Sequence, residues 1–261
     1  MIGQKKLIEK INNCTIDSFP HSLILVGEEG CGKHTVIKYI ADKFSFPVFD
    51  ITENLDLETI ENISLSTSPV IYIINGDKIN ERQENVILKI LEEPPVVSFI
   101  VLLYSYMNFI PTIKNRCQIW EFEKYAIDEL KQIYQFENDD LYSIARTPGK
   151  VLYIKNNNQI KEMQDLVELM IDKIPVSNFS NVLNISDKLA YKNEQDKFNI
   201  DIFIDILYNY ICKKTVHDLN YYTWNVFNKT NQLKNDMNIP HVNKQHVFEH
   251  YLSELKMIKG E

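Results

Sequence analysis

The segment Leu23-Ile24-Leu25-Val26-Gly27-Glu28-Glu29-Gly30-Cys31-Gly32-Lys33 decides the fold of this chain. Four apolar residues predict a buried strand, and the pattern G-x-x-x-x-G-K follows at once. Apolar residues at helical spacing come next: Val36, Ile37, Ile40, Ala41 and Phe44. A strand, this loop and a helix, in that order, are the context of a phosphate-binding loop. Glycines let backbone N–H groups surround phosphate oxygens beside a positive helix N-terminus, and Lys33 would reach the terminal phosphates.

The position after the lysine departs from this motif. A Ser or Thr hydroxyl normally follows the lysine and holds Mg²⁺, but here His34 follows and Thr35 comes one residue late. Because a helix turns about 100° per residue, Thr35 should point elsewhere. Two interpretations stay open: a weak, metal-poor or vestigial ATP site formed by Gly27, Gly30, Gly32 and Lys33, or a loop that survives only as a turn.

The second half of an ATPase site is missing further along the chain. Val70-Ile71-Tyr72-Ile73-Ile74 predicts a buried parallel strand. A working P-loop ATPase ends this strand in an Asp for Mg²⁺ and usually adds a Glu that orients water, but this chain has Asn75 and Gly76. Asp77 is two positions late and suits a turn. We therefore expect Mg²⁺ binding to be poor and the chain not to hydrolyse ATP efficiently on its own.

A series of downstream motifs identifies a family. Leu88-Lys89-Ile90-Leu91-Glu92-Glu93-Pro94-Pro95 precedes a strand, and Phe109-Ile110-Pro111-Thr112-Ile113-Lys114-Asn115-Arg116-Cys117-Gln118 follows it. With Ile2-Gly3-Gln4 and Pro20-His21-Ser22-Leu23 at the start, this series resembles AAA+ clamp-loader subunits. It is most similar to the delta-prime subunits of bacterial DNA polymerase III. The resemblance extends to about Phe122. It departs at Asn115, where the family has Ser, in a shortened core, and in the absence of the family's zinc-binding cysteine cluster.

The resemblance implies roles for two further residues. Arg116 would be an arginine finger that enters the ATP site of an adjacent motor subunit, where an always-charged planar donor meets the charge on the γ-phosphate. Ser105 would occupy the sensor position at the end of a strand. The alternatives are a surface arginine paired with a carboxylate and an ordinary strand-end hydroxyl.

The resemblance also implies a biological setting. It predicts an ATPase-inactive subunit of a DNA polymerase III-type holoenzyme, in a hetero-oligomeric ring with gamma/tau-like motor and delta-like wrench subunits. Such a ring loads a sliding clamp onto primer-template DNA. Two other hypotheses stay open: an active clamp-loader ATPase using Lys33, rescued by Thr35 or Asp77, and an AAA+-derived scaffold without enzymatic activity.

Composition narrows the classes of partner. The 261 residues contain 28 Lys plus Arg and 36 Asp plus Glu, a net charge of −8. Because phosphate neutralisation dominates DNA affinity, such a chain should meet DNA only through its complex. The four scattered cysteines predict neither a zinc site nor a disulfide framework. No signal peptide or membrane span is evident, so we expect a cytoplasmic location.

The order of patterns predicts an α/β fold in three parts. Residues 1–124 should form an AAA+ parallel-sheet core, 125–158 an abbreviated helical lid, and 159–261 an all-α collar-type domain. The expected core strands are Leu23–Val26, Val48–Ile51, Val70–Ile74, Phe99–Leu103 and Gln118–Phe122. A helix is expected over Asn80–Leu91.

Helices are expected throughout the rest of the chain. Asp128 should cap a short helix through Tyr134, and Leu141–Ala145 should lead into the turn Arg146–Lys150. Three apolar stripes predict core-facing helices: Met163, Leu166, Val167 and Met170; Phe203, Leu207, Tyr210 and Ile211; Phe248, Tyr251, Leu252 and Leu255.

Two patterns near the C-terminus suggest chemistry that we do not expect. His246-Val247-Phe248-Glu249-His250 matches the H-x-x-E-H zinc motif, but no third ligand is evident and the match overlaps an apolar stripe. The cluster Tyr221-Tyr222-Thr223-Trp224 could stack bases. It lacks interleaved arginines, which favours a core or interface role.

Overall fold

The computed structural model of this chain describes residues 2–173, 199–237, 239 and 242–258. The chain divides into two compact units. The first contains residues up to 135 together with 146–149, and the second contains 136–145 and the residues from 150 onward.

A five-stranded sheet with every described pairing parallel organises the first unit. The strand order is β2-β3-β4-β1-β5. Every strand expected from the sequence is present to within one residue at each end. The strands are β1 (Ser22–Val26), β2 (Val48–Asp50), β3 (Ile71–Asn75), β4 (Phe99–Tyr104) and β5 (Gln118–Glu121).

Helices cover both faces of the sheet because alternate strand residues are apolar on each side. One face packs on α1 (Lys5–Asn13) and α2 (Lys33–Phe44) through a buried cluster that includes Leu25 and Val101. The other face packs on α3 (Leu57–Ser64), α4 (Glu81–Glu92) and α5 (Pro111–Lys114). The α/β prediction is therefore confirmed.

Two helix starts in this unit differ in how well the sequence predicted them. The helix expected over Asn80–Leu91 is α4, which starts one residue late: Asn80 is its cap, and the Asn80 side chain accepts a hydrogen bond from the Gln83 N–H. The prediction that Asp128 caps a helix through Tyr134 was wrong. Helix α6 runs over Ile127–Lys131, and the Glu129 carboxylate accepts from the Ala126 N–H at its start.

The second unit is helical over its described residues. Most residues of the three predicted stripes are buried, which confirms that they face a core, whereas Leu166 and Tyr210 are partly exposed. Residues 174–198 of the expected collar-type domain lie outside the described ranges. The remaining helices are α7 (Asp140–Ile144), α8 (Pro148–Asn156, whose first two residues belong to the first unit), α9 (Ile160–Lys173), α10 (Ile200–His217), α11 (Tyr221–Asp236) and α12 (Lys244–Met257).

One buried acid stands out in the second unit. Asp205, on the otherwise apolar side of α10, pairs with Lys150 and Lys234. A buried charge is tolerated only when it is paired in this way. None of the described helices combines the length and apolar character needed to cross a membrane.

Candidate nucleotide loop and surface arginine

Two glycines of the glycine-rich loop have a backbone conformation that other residues rarely adopt. Gly30 and Gly32 have φ of +76° and +100°, in the left-handed region that favours glycine. Helix α2 starts directly after the loop, and the Val36 N–H donates to the Gly32 carbonyl. The loop thus sits at a helix N-terminus, where an anion is favoured.

The loop lysine is bonded to the loop itself. The Lys33 ammonium donates to the Gly27 carbonyl and, at 3.4 Å, to the Glu28 carbonyl. His34 and Thr35 are both exposed on the first turn of α2. A phosphate reaching this loop would therefore have to compete with two carbonyls for Lys33.

The segment after α7 holds the next two loop carbonyls. The Thr147 hydroxyl donates to the Glu29 carbonyl at 2.9 Å, and the Gly149 N–H donates to the Gly30 carbonyl at 2.8 Å. Gly30 and Gly149 meet so closely that a Cβ on either would crowd the backbone of the other. The turn Arg146–Lys150 thus contributes Thr147 and Gly149 to the walls of the loop.

A tyrosine holds the fifth loop carbonyl. The Tyr125 hydroxyl donates to the Cys31 carbonyl at 2.6 Å, and burial raises the pKa of Tyr125 to about 12. The Cys31 side chain is buried, and this burial raises its thiol pKa despite the nearby Lys33 ammonium. Each of the five residues Gly27 to Cys31 therefore has its carbonyl oxygen held from within the first unit.

The end of β3 is occupied by turn hydrogen bonds. The Asn75 side-chain oxygen accepts from the Asp77 N–H at 3.1 Å, which is an Asx turn. The Asn75 N–H donates to the Thr52 hydroxyl at 2.8 Å, and that hydroxyl donates to the Asp50 carboxylate at 2.6 Å. The position that holds Mg²⁺ in a working ATPase is here a neutral turn residue.

The Tyr104 ring leaves no space for a side chain at position 76. The Gly76 N–H donates to the Leu103 carbonyl at 2.8 Å, and a Cβ on Gly76 would overlap the Tyr104 ring. Tyr104 is 1% exposed and packs against Phe109. A carboxylate side chain at position 76 would need the space that Tyr104 fills.

The strand ends bring most of the predicted site residues to one edge of the sheet. The Gly27 N–H donates to the Tyr104 carbonyl at 3.1 Å, which joins the loop to the end of β4. The Ser105 N–H donates to the Asp77 carboxylate at 2.8 Å. The glycine loop, Asn75, Gly76 and Ser105 therefore share the C-terminal edge, where ligands of open α/β sheets bind.

Arg116 lies at the other edge of the sheet. It follows α5, whose Ile113 is fully buried, and comes just before β5, whose residues pair with those of β1 from Leu23 onward. Because the two strands are parallel, Arg116 is at the strand-start edge. Gln118, two residues after Arg116, pairs with Leu23, which is four residues or about 13 Å of strand from Gly27 at roughly 3.3 Å per residue. The structure therefore does not bring Arg116 to the chain's own nucleotide loop.

The Arg116 guanidinium has two partners in the described structure. It donates to the Thr112 carbonyl at 2.8 Å and to the Glu92 carboxylate at 2.6 Å, and the arginine side chain is 32% exposed. Cys117, next in the chain, packs against the core, and burial raises its thiol pKa to about 12.

The residues of the two C-terminal patterns differ in exposure. His246 and His250 are exposed on α12, and the described residues contain no group of three potential metal ligands. In the aromatic cluster, the Tyr222 hydroxyl donates to the Ile171 carbonyl, whereas Tyr221 and Trp224 are exposed. Of the expected core or interface role, the core part holds for the buried Thr223 and the half-buried Tyr222, and the interface alternative stays open for Tyr221 and Trp224.

Sequence reasoning missed the supporting residues of these sites. Tyr104, Tyr125, Thr147 and Glu92 stand far along the chain from the groups they contact, so no local pattern marks them. Gln4 carried a signal in the G-Q opening. Its side-chain amide makes two hydrogen bonds with the backbone of Glu123, which join the first turn of the chain to the end of β5.

Comparison with known proteins finds similarity to DNA polymerase III subunits. Residues 48–126 match the family model described as DNA polymerase III, delta subunit. The chain is 25% identical over 161 residues to DNA polymerase III subunit delta' of Buchnera aphidicola subsp. Schizaphis graminum, covering 58% of this chain and 48% of that protein. The Haemophilus influenzae subunit delta' is 33% identical over 89 residues, 32% of this chain and 27% of that one. The chain therefore spans about half or less of the length of these relatives.

A solved structure shows the fold independently. A RuvB variant from Thermotoga maritima superimposes with a TM-score of 0.51 at 15% identity, covering 72% of this chain and 85% of that one. The fold is thus an AAA+ P-loop core followed by helices. Within that class, the resemblance to delta-prime clamp-loader subunits that the motifs indicated is confirmed.

Proposed function

We propose that this chain is a delta-prime-like subunit of a DNA polymerase III-type clamp loader that does not hydrolyse ATP itself. It donates Arg116 to the ATP site of a neighbouring gamma/tau-like motor subunit. The ring, with a delta-like subunit, loads a sliding clamp onto primer-template DNA. ATP at the chain's own loop is weakly bound or absent, and neither Mg²⁺ nor zinc has a role there.

The observation that carries the proposal is the end of β3. Asn75 is neutral and is bonded within a turn, and Gly76 lies against the Tyr104 ring. Hydrolysis requires a carboxylate for Mg²⁺ and a group that orients water. Neither is supplied at these positions.

The location of Arg116 supports donation in trans. The guanidinium is ordered by two hydrogen bonds, is partly exposed, and is at the sheet edge opposite its own loop. An arginine supplied by another chain raises phosphoryl-transfer rates by ~10³–10⁵ at the site that it completes.

One observation favours a second function, an active ATPase. The loop glycines keep their left-handed backbone, and Lys33 is present. In that case Lys33 would leave the Gly27 carbonyl for a phosphate, and Thr35 or Asp77 would hold Mg²⁺.

The first test compares the two functions directly. Steady-state Mg-ATP hydrolysis by the purified chain is measured beside Lys33→Ala. The proposal expects no turnover above that variant, whereas Lys33-dependent turnover would establish an active motor.

The second test addresses Arg116 in the assembled complex. The chain is co-purified with the gamma/tau-like and delta-like subunits of the same organism, and clamp- and DNA-stimulated hydrolysis is measured. Arg116→Ala should abolish the part of the hydrolysis rate that comes from the ATP site that Arg116 completes. The complex should stay assembled. Lys114→Ala, also on the exposed surface of this region, is the control. An unchanged rate would reject the finger, and failure to assemble with these subunits would favour a scaffold outside a clamp loader.

A further inference from the structure

The ion pair between Arg116 and Glu92 joins two motifs that the sequence presents separately. Glu92 is the first glutamate of Leu91-Glu92-Glu93-Pro94-Pro95, and Arg116 follows it by 24 residues. The guanidinium donates to the carboxylate at 2.6 Å, within the range of a charge-assisted hydrogen bond. A second bond to the Thr112 carbonyl at 2.8 Å fixes the other side of the group.

Glu92 and Arg116 are both attached to helices that pack in the core. Glu92 is the last residue of α4, and Arg116 follows the single turn of α5. Ile90 and Leu91 of α4 and Ile113 of α5 belong to one buried cluster. The distance between the two side-chain origins is therefore set by core packing and not by a mobile loop.

We propose that Glu92 is a positioning residue for Arg116: it orients the guanidinium for the phosphate of the neighbouring subunit. This inference rests on the finger function proposed above and adds a residue that acts through Arg116. Glu92 itself does not need to touch the nucleotide.

The geometry leaves the arginine able to bind a phosphate while it is held. A guanidinium has five N–H donors, and the two contacts to Thr112 and Glu92 use one on each terminal nitrogen. The remaining donors serve a phosphate oxygen. A long arginine side chain loses rotamer freedom when it is fixed. The ion pair with Glu92 fixes the Arg116 side chain before the reaction begins. The loss of rotamer freedom therefore does not add to the activation barrier of ATP hydrolysis.

A purely structural role for the pair makes different predictions. A carboxylate at a helix C-terminus faces the negative end of the helix dipole, so Arg116 could serve only to neutralise Glu92. In that case losing Glu92 would change stability and would leave the ATPase of the partner subunit unaffected. A positioning role requires a fall in kcat with little change in KM, because the finger acts in the transition state.

The experiment uses the assembled complex and four variants of this chain: Glu92→Ala, Glu92→Gln, Arg116→Ala, and Glu92→Ala with Arg116→Ala. Stimulated ATPase is measured as a function of ATP concentration. Glu93→Ala is the matched control, because Glu93 is the next residue, carries the same charge and is exposed. The guanidinium NMR signal of Arg116 in the isolated chain reports the mobility of the side chain directly.

We expect Glu92→Ala to remove more than half of the activity that Arg116→Ala removes, at unchanged KM, since small misplacements of a catalytic group are costly. Glu92→Gln, which keeps an acceptor oxygen, should retain most activity. The double variant should match Arg116→Ala, because the two residues act as one unit. The Arg116 signal should become more mobile in Glu92→Ala and not in Glu93→Ala.

The opposing outcomes separate the two proposals. If Arg116→Ala lowers the rate and Glu92→Ala does not, or if their effects are additive, Glu92 is not a positioning residue and the finger stands. If Arg116→Ala has no effect, the finger and the inference drawn from it both fail.

Discussion

At the scale of single residues, a tyrosine ring fills the space that a side chain at position 76 would need. Tyr104 is almost fully buried at the end of β4, and its ring lies where a Cβ on Gly76 would be. Its hydroxyl has no partner among the described residues, and burial raises its pKa above the ordinary value. Placing a glutamate at position 76 would therefore require removal of the ring.

This contact predicts a coupled effect on stability. Gly76→Ala should lower the free energy of unfolding by ~1–3 kcal/mol, because overpacking a filled site costs that much. Tyr104→Ala alone should cost ~3–5 kcal/mol through the cavity it leaves. In the Tyr104→Ala background, Gly76→Ala should be nearly neutral. Urea unfolding of the three variants measures the coupling, and simple additivity of the two single effects would contradict the contact.

At the scale of elements, hydrogen bonds from the surrounding residues hold the glycine loop. Lys33, Thr147, Gly149 and Tyr125 together bind the carbonyls of the whole loop. Each such hydrogen bond contributes about 1 kcal/mol. Together these contacts stabilise the loop conformation in which Gly30 and Gly32 have positive φ.

Cys31 provides a chemical probe of this loop. Its thiol should react with iodoacetamide more slowly than those of Cys14 and Cys212, which are partly exposed. Because burial raises its pKa, its labelling rate should keep rising above pH ~8.5, where an ordinary thiol is half ionised. Tyr125→Phe removes the bond to the Cys31 carbonyl and should speed labelling about fivefold, the factor for 1 kcal/mol.

Peptide mass spectrometry gives the rate at each cysteine. The control is Tyr39→Phe, which removes a hydroxyl that donates to the Asn12 side chain on α1, away from the loop. Equal rates in the two tyrosine variants would mean that Tyr125 does not hold the loop closed.

At the scale of the whole molecule, the sequence predicted the features that follow from local patterns and missed those that depend on contacts between residues far apart in the chain. Buried parallel strands are continuous apolar runs, so all five were found with their ends nearly correct. The helix at Ile127 was misjudged because its start depends on Glu129 reaching back to the Ala126 N–H, whereas Asp128 looks like a cap by type alone. The strand order of the sheet also carried no local signal.

The residues of the candidate site also divide into those that a local motif marks and those whose contacts are distant in sequence. Gly27 through Lys33, Asn75 and Arg116 were named from the sequence because motifs are local in sequence, and their roles stay predictions. The Glu92 carboxylate was quoted as part of a motif, but its partner is 24 residues away. In the sequence, Tyr104 is indistinguishable from the other apolar residues of its strand. Only the structure shows that its ring packs against Gly76. Roles that depend on packing across the sheet could not be read from spacing.

Net charge leads to a prediction about the intact chain. With 28 basic and 36 acidic side chains, the isolated protein lacks the excess of cations that drives release of counterions from DNA. Fluorescence anisotropy with a labelled primer-template, at about 0.15 M salt, should therefore show no binding up to ~10 µM protein, within the range where basic proteins bind without sequence preference. The complete complex on the same DNA is the positive control. Micromolar binding by the isolated chain that weakens steeply with salt would contradict this prediction. It would show that a basic surface of this chain binds DNA without the other subunits of the ring.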